Sequence, residues 1–268
     1  MSIFDLFKKK TPDTADYSEA PTITETSEAT SETAINEKSE NPTVEKIISS
    51  DEIRRVFNLI ILDESGSMSS IYQPALTGVN ETLHTIREAQ KEHGNQKHFA
   101  SLIAFDSGHY NEIYHKTPAE EATDITSEQY RPGGCTPLYD AMGRAITELR
   151  PEITEGDVVL VTIITDGYEN ASREYNGKAI KALVEQMKAK GWVFTYIGAN
   201  QDVEAVATSM SIDNSLAFDA DDESTGAMFE KECRSRKKFF GKLSRNMPMC
   251  DLSVGYFNED DEDEKDKF

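Results

Sequence analysis

The chain has 268 residues, with 28 Lys and Arg against 49 Asp and Glu, a formal charge of −21. So acidic a chain argues against nucleic acid or an anionic membrane as its main partner, and it suits cations and basic proteins. The apolar fraction is 37% but unevenly spread, so the core is expected from about residue 52 onward.

In chain order, the first ten residues carry Ile3-Phe4 and Leu6-Phe7 followed by Lys8-Lys9-Lys10. A secretory signal has its charge before a longer apolar stretch, so this order does not read as export. It reads as a frayed terminus, or as a short amphipathic turn for a membrane or a partner groove. Residues 11–50 are rich in Thr, Ser, Glu and Ala, with Pro12, Pro21 and Pro42. They offer too little apolar surface to offset the entropy of ordering, so residues 1–50 are expected to be a short amphipathic start and a disordered linker.

Val56 to Leu62 is a nearly continuous apolar run ending at Asp63, the pattern of a central parallel strand buried on both faces. Ile71 to Glu92 has a helical period through Ile71, Leu76, Val79, Leu83 and Ile86. Phe99 to Phe105 reads as a second strand. Glu112 to His115 reads as a short third strand, turned back through Ser107-Gly108 into an antiparallel pair. A helix is expected over Pro137 to Leu149 with Pro137 at its first position, and a buried strand over Asp157 to Thr165. Then come a helix from Ser172 to Lys190 stopped by Gly191, a strand from Trp192 to Gly198, and a helix from Asp202 to Met210 with Asp202 as its cap. A short strand from Ser215 to Phe218 and a helix from Asp222 to Leu243 complete the domain.

Strands joined by helices imply an α/β fold with a Rossmann-like, doubly wound, mostly parallel sheet and one short antiparallel edge strand. The expected domain is 51–247. The expected acidic tail is 248–268, whose last ten residues hold seven carboxylates and two lysines. The three cysteines, Cys135, Cys233 and Cys250, form no C-x-x-C pair, which fits a reducing, cytoplasmic setting. No apolar run is long enough to cross a bilayer.

In a doubly wound sheet, ligands bind beyond the carboxyl ends of the strands, where strand order reverses. Asp63-Glu64-Ser65-Gly66-Ser67 follows the first buried strand directly. Thr136 stands in Gly133-Gly134-Cys135-Thr136-Pro137, just before a helix, and Asp166-Gly167 ends the other long apolar strand. Two carboxylates and three hydroxyls offer only oxygen, which suits Mg²⁺, Mn²⁺ or Ca²⁺ and not zinc. The competing reading of Asp63, Ser65 and Ser67 is helix capping; their coincidence with Thr136 and Asp166 favours the metal.

On these residues the sequence resembles the von Willebrand factor type A (vWA) domains, over about residues 53–245. Their metal-ion-dependent adhesion site (MIDAS) is Asp-x-Ser-x-Ser, a later Thr, and a later Asp before Gly. Asp166 to Ser172 and Gly198 to Asp202 resemble a soluble bacterial branch of these domains. The resemblance implies that Asp63, Ser65, Ser67, Thr136 and Asp166 hold a divalent cation, most simply Mg²⁺. It implies direct binding by the serines and water-mediated binding by the aspartates. A carboxylate of a protein partner then completes the shell, and the function is metal-dependent protein recognition without catalysis. Two departures stand out: Cys135, beside Thr136, expected to pack; and Tyr168, where that branch is often acidic. Tyr72, Gln73, Asp106, Tyr168 and Glu169 are candidates for shaping the contact.

Two other functions compete. A Mg²⁺-dependent phosphohydrolase with Asp63 as nucleophile would want a second carboxylate two residues on, where Ser65 stands; neither G-x-S-x-G nor a phosphate-cradling loop occurs. A structural scaffold would use the metal only to tie loops together. The histidines at 84, 93, 98, 109 and 115 show no ligand spacing and read as surface or strand residues. Met247, Met249 and Cys250 read as tail packing.

Overall fold

The computed structural model describes residues 53–258. The expected amphipathic start, the linker and the acidic run from residue 259 lie outside them.

Strand β1 (Arg54–Asp63) is central. Its alternate side chains divide two cores: Val56, Ile60 and Leu62 join one, and Phe57, Leu59 and Ile61 the other. This two-sided burial explains the unbroken apolar run. A 3₁₀ turn (Gly66–Ile71) leads into α1 (Tyr72–Glu92), and β2 (Gln96–Phe105) lies parallel to β1. β3 (Tyr110–Pro118) returns antiparallel to β2. It is longer than the Glu112–His115 expected, and it follows β2 through register shifts around Leu102.

The second half comprises α2 (Leu138–Leu149), β4 (Val158–Thr165), α3 (Gly177–Lys188), β5 (Val193–Gly198), α4 (Val203–Ser209), β6 (Asn214–Ala217), α5 (Asp222–Ser244) and α6 (Met249–Ser253). The sheet order is β3-β2-β1-β4-β5-β6, all parallel except β3. The expected doubly wound sheet is therefore the one found. α1, α5 and the C-terminal residues cover one face; α2, α3 and α4 cover the other. Among the described residues, no helix is long and apolar enough to cross a membrane.

Several expected boundaries move for identifiable reasons. α3 begins at Gly177 behind the Asn176 cap, not at Ser172. The backbone N–H groups of Arg173, Glu174 and Tyr175 donate to the Asp140 carboxylate at 2.7–2.9 Å, which holds that stretch out of a helix. Pro137 caps α2 instead of opening it. Asp202 does cap α4, accepting from the Ala205 N–H at 3.1 Å. The boundary expected at residue 247 also gives way, because Leu252, Tyr256 and Phe257 are buried in the core under α5. Met247 and Met249 pack against that core, as expected.

One group was hidden in the apolar pattern. Arg236 and Glu232 on α5 are fully buried and paired at 2.7 Å. Arg236 also donates to Asn58 of β1 and Thr162 of β4, each at 2.8 Å. Thr82 of α1 and the Tyr256 hydroxyl donate to Glu232 at 3.3 Å. The knot joins two strands, two helices and the C-terminal segment.

Candidate metal centre

Order in the sheet reverses between β1 and β4: the chain leaves β1 toward β2 on one side and leaves β4 toward β5 on the other. The loops after Asp63 and Thr165 open there, and a third loop, 130–137, is bound to them. The Tyr130 hydroxyl donates to the Asp63 carbonyl at 3.0 Å, and the Tyr130 ring stacks on Tyr72. The Gly133 N–H donates to the Glu64 carbonyl at 2.8 Å, and the Gly66 N–H to the Gly134 carbonyl at 3.1 Å. The Glu64 carboxylate accepts from the Arg131 N–H. Gly134 has φ +67, and a Cβ there would stand 2.7 Å from Ser107 Oγ. The glycine lets Ser107 exchange bonds with the Cys135 backbone, at 3.0 and 2.9 Å.

This bracing delivers Thr136. Its N–H donates to Asn170 Oδ1 at 2.9 Å, and its carbonyl accepts from the Asn170 N–H at 3.1 Å. Asn200, at φ +57, donates from its side chain to the Asp166 carbonyl at 3.1 Å. Glu169 accepts from the backbone N–H groups of Tyr139, Ala171 and Ser172, fixing the Asp166 loop to the start of α2.

The structure gathers the five expected residues. Asp63 is fully buried, and both its oxygens are engaged: one accepts from the Ser65 N–H at 2.7 Å, the other from the Thr165 hydroxyl at 2.6 Å. Ser65 Oγ and Ser67 Oγ lie 3.2 Å apart, and Ser67 donates to Asp166 Oδ1 at 2.5 Å. A Cβ on Gly167 would lie 3.6 Å from Ser67 Oγ and 3.7 Å from Thr136 Oγ1, so the two hydroxyls flank the same glycine. Asp166 Oδ2 is buried and has no hydrogen-bond partner.

Burial pushes the Asp63 carboxyl up to about 6; bonds from Thr165 and Ser65 oppose this, and the nearby Asp166 charge adds to it. Asp166 is also raised, by burial, against the bond from Ser67. Two carboxylates and three hydroxyls around one unpartnered oxygen fit a hard cation. Among the described residues, no group of three or more His, Cys, Asp or Glu side chains clusters as a metal site. The hydroxyls are what make this set a candidate.

The rim residues divide. Tyr168 is 55% exposed, but Asp106 is buried and accepts from the Gly108 and His109 N–H groups, and Glu169 is spent on the loop. Cys135 is exposed, contrary to the expected packing role, although its backbone is bonded to Ser107. Sequence reasoning missed Thr165, Asn170 and Asn200 as positioning residues. Their adjacency to Asp166, or to the end of β5, was the available signal.

No family model matches the chain, and no curated protein matches it. Among solved structures, it is similar to the minor pilin PilB of Streptococcus sanguinis: 12% identity, 74% of this chain, 63% of that one, TM-score 0.50. The fold is vWA-like. The single antiparallel edge strand and the loops at the β1 and β4 carboxyl ends are what the resemblance implies. The pilus adhesin SpaC of Lactobacillus rhamnosus GG has 13% identity over 70% of this chain and 31% of its own, with a TM-score of 0.49. The vWF domain of the type V pili tip protein Mfa5 of Porphyromonas gingivalis has 10% identity over 69% of this chain and 96% of its own, with a TM-score of 0.47. This chain thus spans less than two thirds of the length of PilB and SpaC.

Proposed function

We propose that this chain is a metal-dependent protein-recognition module. Asp63, Ser65, Ser67, Thr136 and Asp166 would hold Mg²⁺, or Mn²⁺ or Ca²⁺. The observation that carries this reading is the buried, unpartnered Asp166 Oδ2 among oxygen donors drawn from three loops at the switch point. Bound there, the cation supplies positive charge and a coordination position for a carboxylate of a protein partner.

The chain's own residues do the rest. Thr165 and the Ser65 N–H orient Asp63, Asn170 sets Thr136, and Asn200 steadies the Asp166 backbone. Tyr168 offers an exposed aromatic surface beside the site, the kind of side chain that anchors interfaces. Sharing a fold with a minor pilin agrees with a recognition role. Recognition is favoured over phosphoryl chemistry because Asp63 is fully buried and Ser65 stands where the second carboxylate of such a nucleophile would be wanted. It is favoured over a pure scaffold because protein hydrogen bonds already join the loops.

The test compares thermal melting in Mg²⁺ and in chelator for wild type and Asp63→Ala. Mg²⁺ at about 100 times its Kd should stabilise wild type by about 2.7 kcal/mol and leave the variant unmoved. Identical melting in all four conditions overturns the metal site. A partner captured equally in Mg²⁺ and chelator would overturn the bridging role and leave the scaffold reading.

A further inference from the structure

A groove of about 560 Å³ runs between α1 and α5, on the helical face away from the metal loops' second-half helices. On α1 it extends from Gln73 to Thr85, and on α5 from Asp222 to Lys237. At 1.5 Å per residue that is about 18–22 Å, the length of a helix of roughly 12–15 residues. Its most buried members are Gly78, Thr85 and Phe229.

Two glycines shape it differently. Gly78 is required by packing, since a Cβ would fall 2.1 Å from the Phe229 ring. Gly226 is not: nothing lies within 4 Å of its Cβ position. A glycine inside a helix is less favourable than alanine, and here no packing contact requires it. It keeps the groove open. Glu81, Asp222 and Glu230 line the groove, and none of them is in an ion pair among the described residues. Lys237 and His84 are the basic groups in the lining.

We infer that this groove docks a basic amphipathic helix of a partner protein. Its apolar stripe would enter between α1 and α5, and its Lys or Arg residues would meet Glu81, Asp222 and Glu230. This is the helix-in-groove mode, with anchors at i, i+3, i+4 and i+7. It is independent of the metal centre.

The probe is a fluorescein-labelled, Leu- and Lys-containing peptide of about 14 residues with one apolar helical face, long enough to span the groove. The control is the same composition shuffled to remove the face. Anisotropy is read against the full chain, in Mg²⁺ and in chelator. We expect binding of the amphipathic peptide in both, with Kd rising about tenfold or more in Gly226→Leu, which fills the groove, and in Glu81→Lys/Glu230→Lys. Gly226→Ala controls for folding by its melting temperature. Equal binding of the shuffled peptide would show that charge alone drives association and overturn the inference. So would unchanged affinity in Gly226→Leu, or loss of binding in chelator. Binding seen only after deletion of residues 1–10 would assign the groove to the chain's own Ile3–Lys10 and overturn a separate partner.

Discussion

Replacing Arg236 by Met should be among the most damaging single substitutions in this domain. The guanidinium is fully buried and serves three acceptors on three elements: Glu232, Asn58 and Thr162. Its loss leaves the Glu232 carboxylate buried with only the Thr82 and Tyr256 hydroxyls, both at 3.3 Å. Breaking a buried pair from one side costs about 3–5 kcal/mol, because the remaining charge is uncompensated. In a domain of this size that is on the order of 10 °C in Tm. Removing both partners, in Arg236→Met/Glu232→Leu, deletes the stranded charge and should restore most of the loss. Asn58 Oδ1 would still lose its donor and the Tyr256 hydroxyl its acceptor, at about 1 kcal/mol each, whereas Thr162 keeps Thr195 and Thr82 keeps the Gly78 carbonyl. Urea unfolding followed by circular dichroism reads this as a shift in midpoint at constant slope. A single variant losing less than about 1 kcal/mol, or a double variant losing the sum of the singles, would refute the assignment of the knot as a coupled unit.

Three further outcomes follow from burial and hydrogen bonding. Burial holds His98 down to about 3, with its Nε2 beside Gln96 Oε1 at 2.9 Å and its Nδ1 unpartnered. The unfolded chain therefore takes up this proton first, and the His98 contribution to stability, present above about pH 6.5, falls by about 2 kcal/mol between about pH 7 and pH 5. His98→Gln should flatten that part of the pH–stability curve, and an unchanged slope would contradict it. Gly78→Ala should destabilise by about 1–3 kcal/mol through its clash with Phe229, and a smaller residue at 229 in the same chain should recover part of this, as read by urea midpoints. Asn170→Ala should weaken Mg²⁺ binding about tenfold by calorimetric titration and lower the metal-free Tm by about 2–4 °C, because buried Thr136 loses the acceptor for its N–H, at about 1 kcal/mol.

The framework was legible because the apolar runs of β1 and β4 are buried on both faces, a demand that leaves its mark on every residue of a central strand. That the five candidate residues gather at one end of the sheet was legible because β1 and β4 are neighbours ending at Asp63 and just before Asp166, and the glycine loop presents Thr136. What stayed hidden depends on contacts between residues far apart in the chain. Asn58 is the one polar residue within the Val56–Leu62 run; its partner is Arg236, and nothing local to either position signals the pairing. The delayed start of α3 has the same origin, since a helical pattern from Ser172 cannot reveal that Asp140 captures the next three N–H groups. The packed segment after residue 247 escaped because Tyr256 and Phe257 sit next to an acidic run that dominates the local composition.

The energetics of the candidate metal centre differ in kind from those of the Arg236 knot. In the knot, each buried charge has its opposite within hydrogen-bonding distance, so the group is self-contained. At the candidate metal centre, two buried carboxylates lie near enough for the charge of Asp166 to act on Asp63, no cationic side chain among the described residues is hydrogen-bonded to either, and only hydroxyl and N–H donors oppose their desolvation. A carboxyl moved from 3.8 to about 6 carries an ionised form disfavoured by about 3 kcal/mol at neutral pH. Stability alone would select against that arrangement, and a neutral side chain at position 63 or 166 would relieve it. Instead, the surrounding loops commit Tyr130, Thr165, Asn170 and Asn200 to holding it in place. A locally unfavourable group held by many favourable neighbours is the arrangement expected of a binding site, and the divalent cation proposed above would bring the charge it lacks.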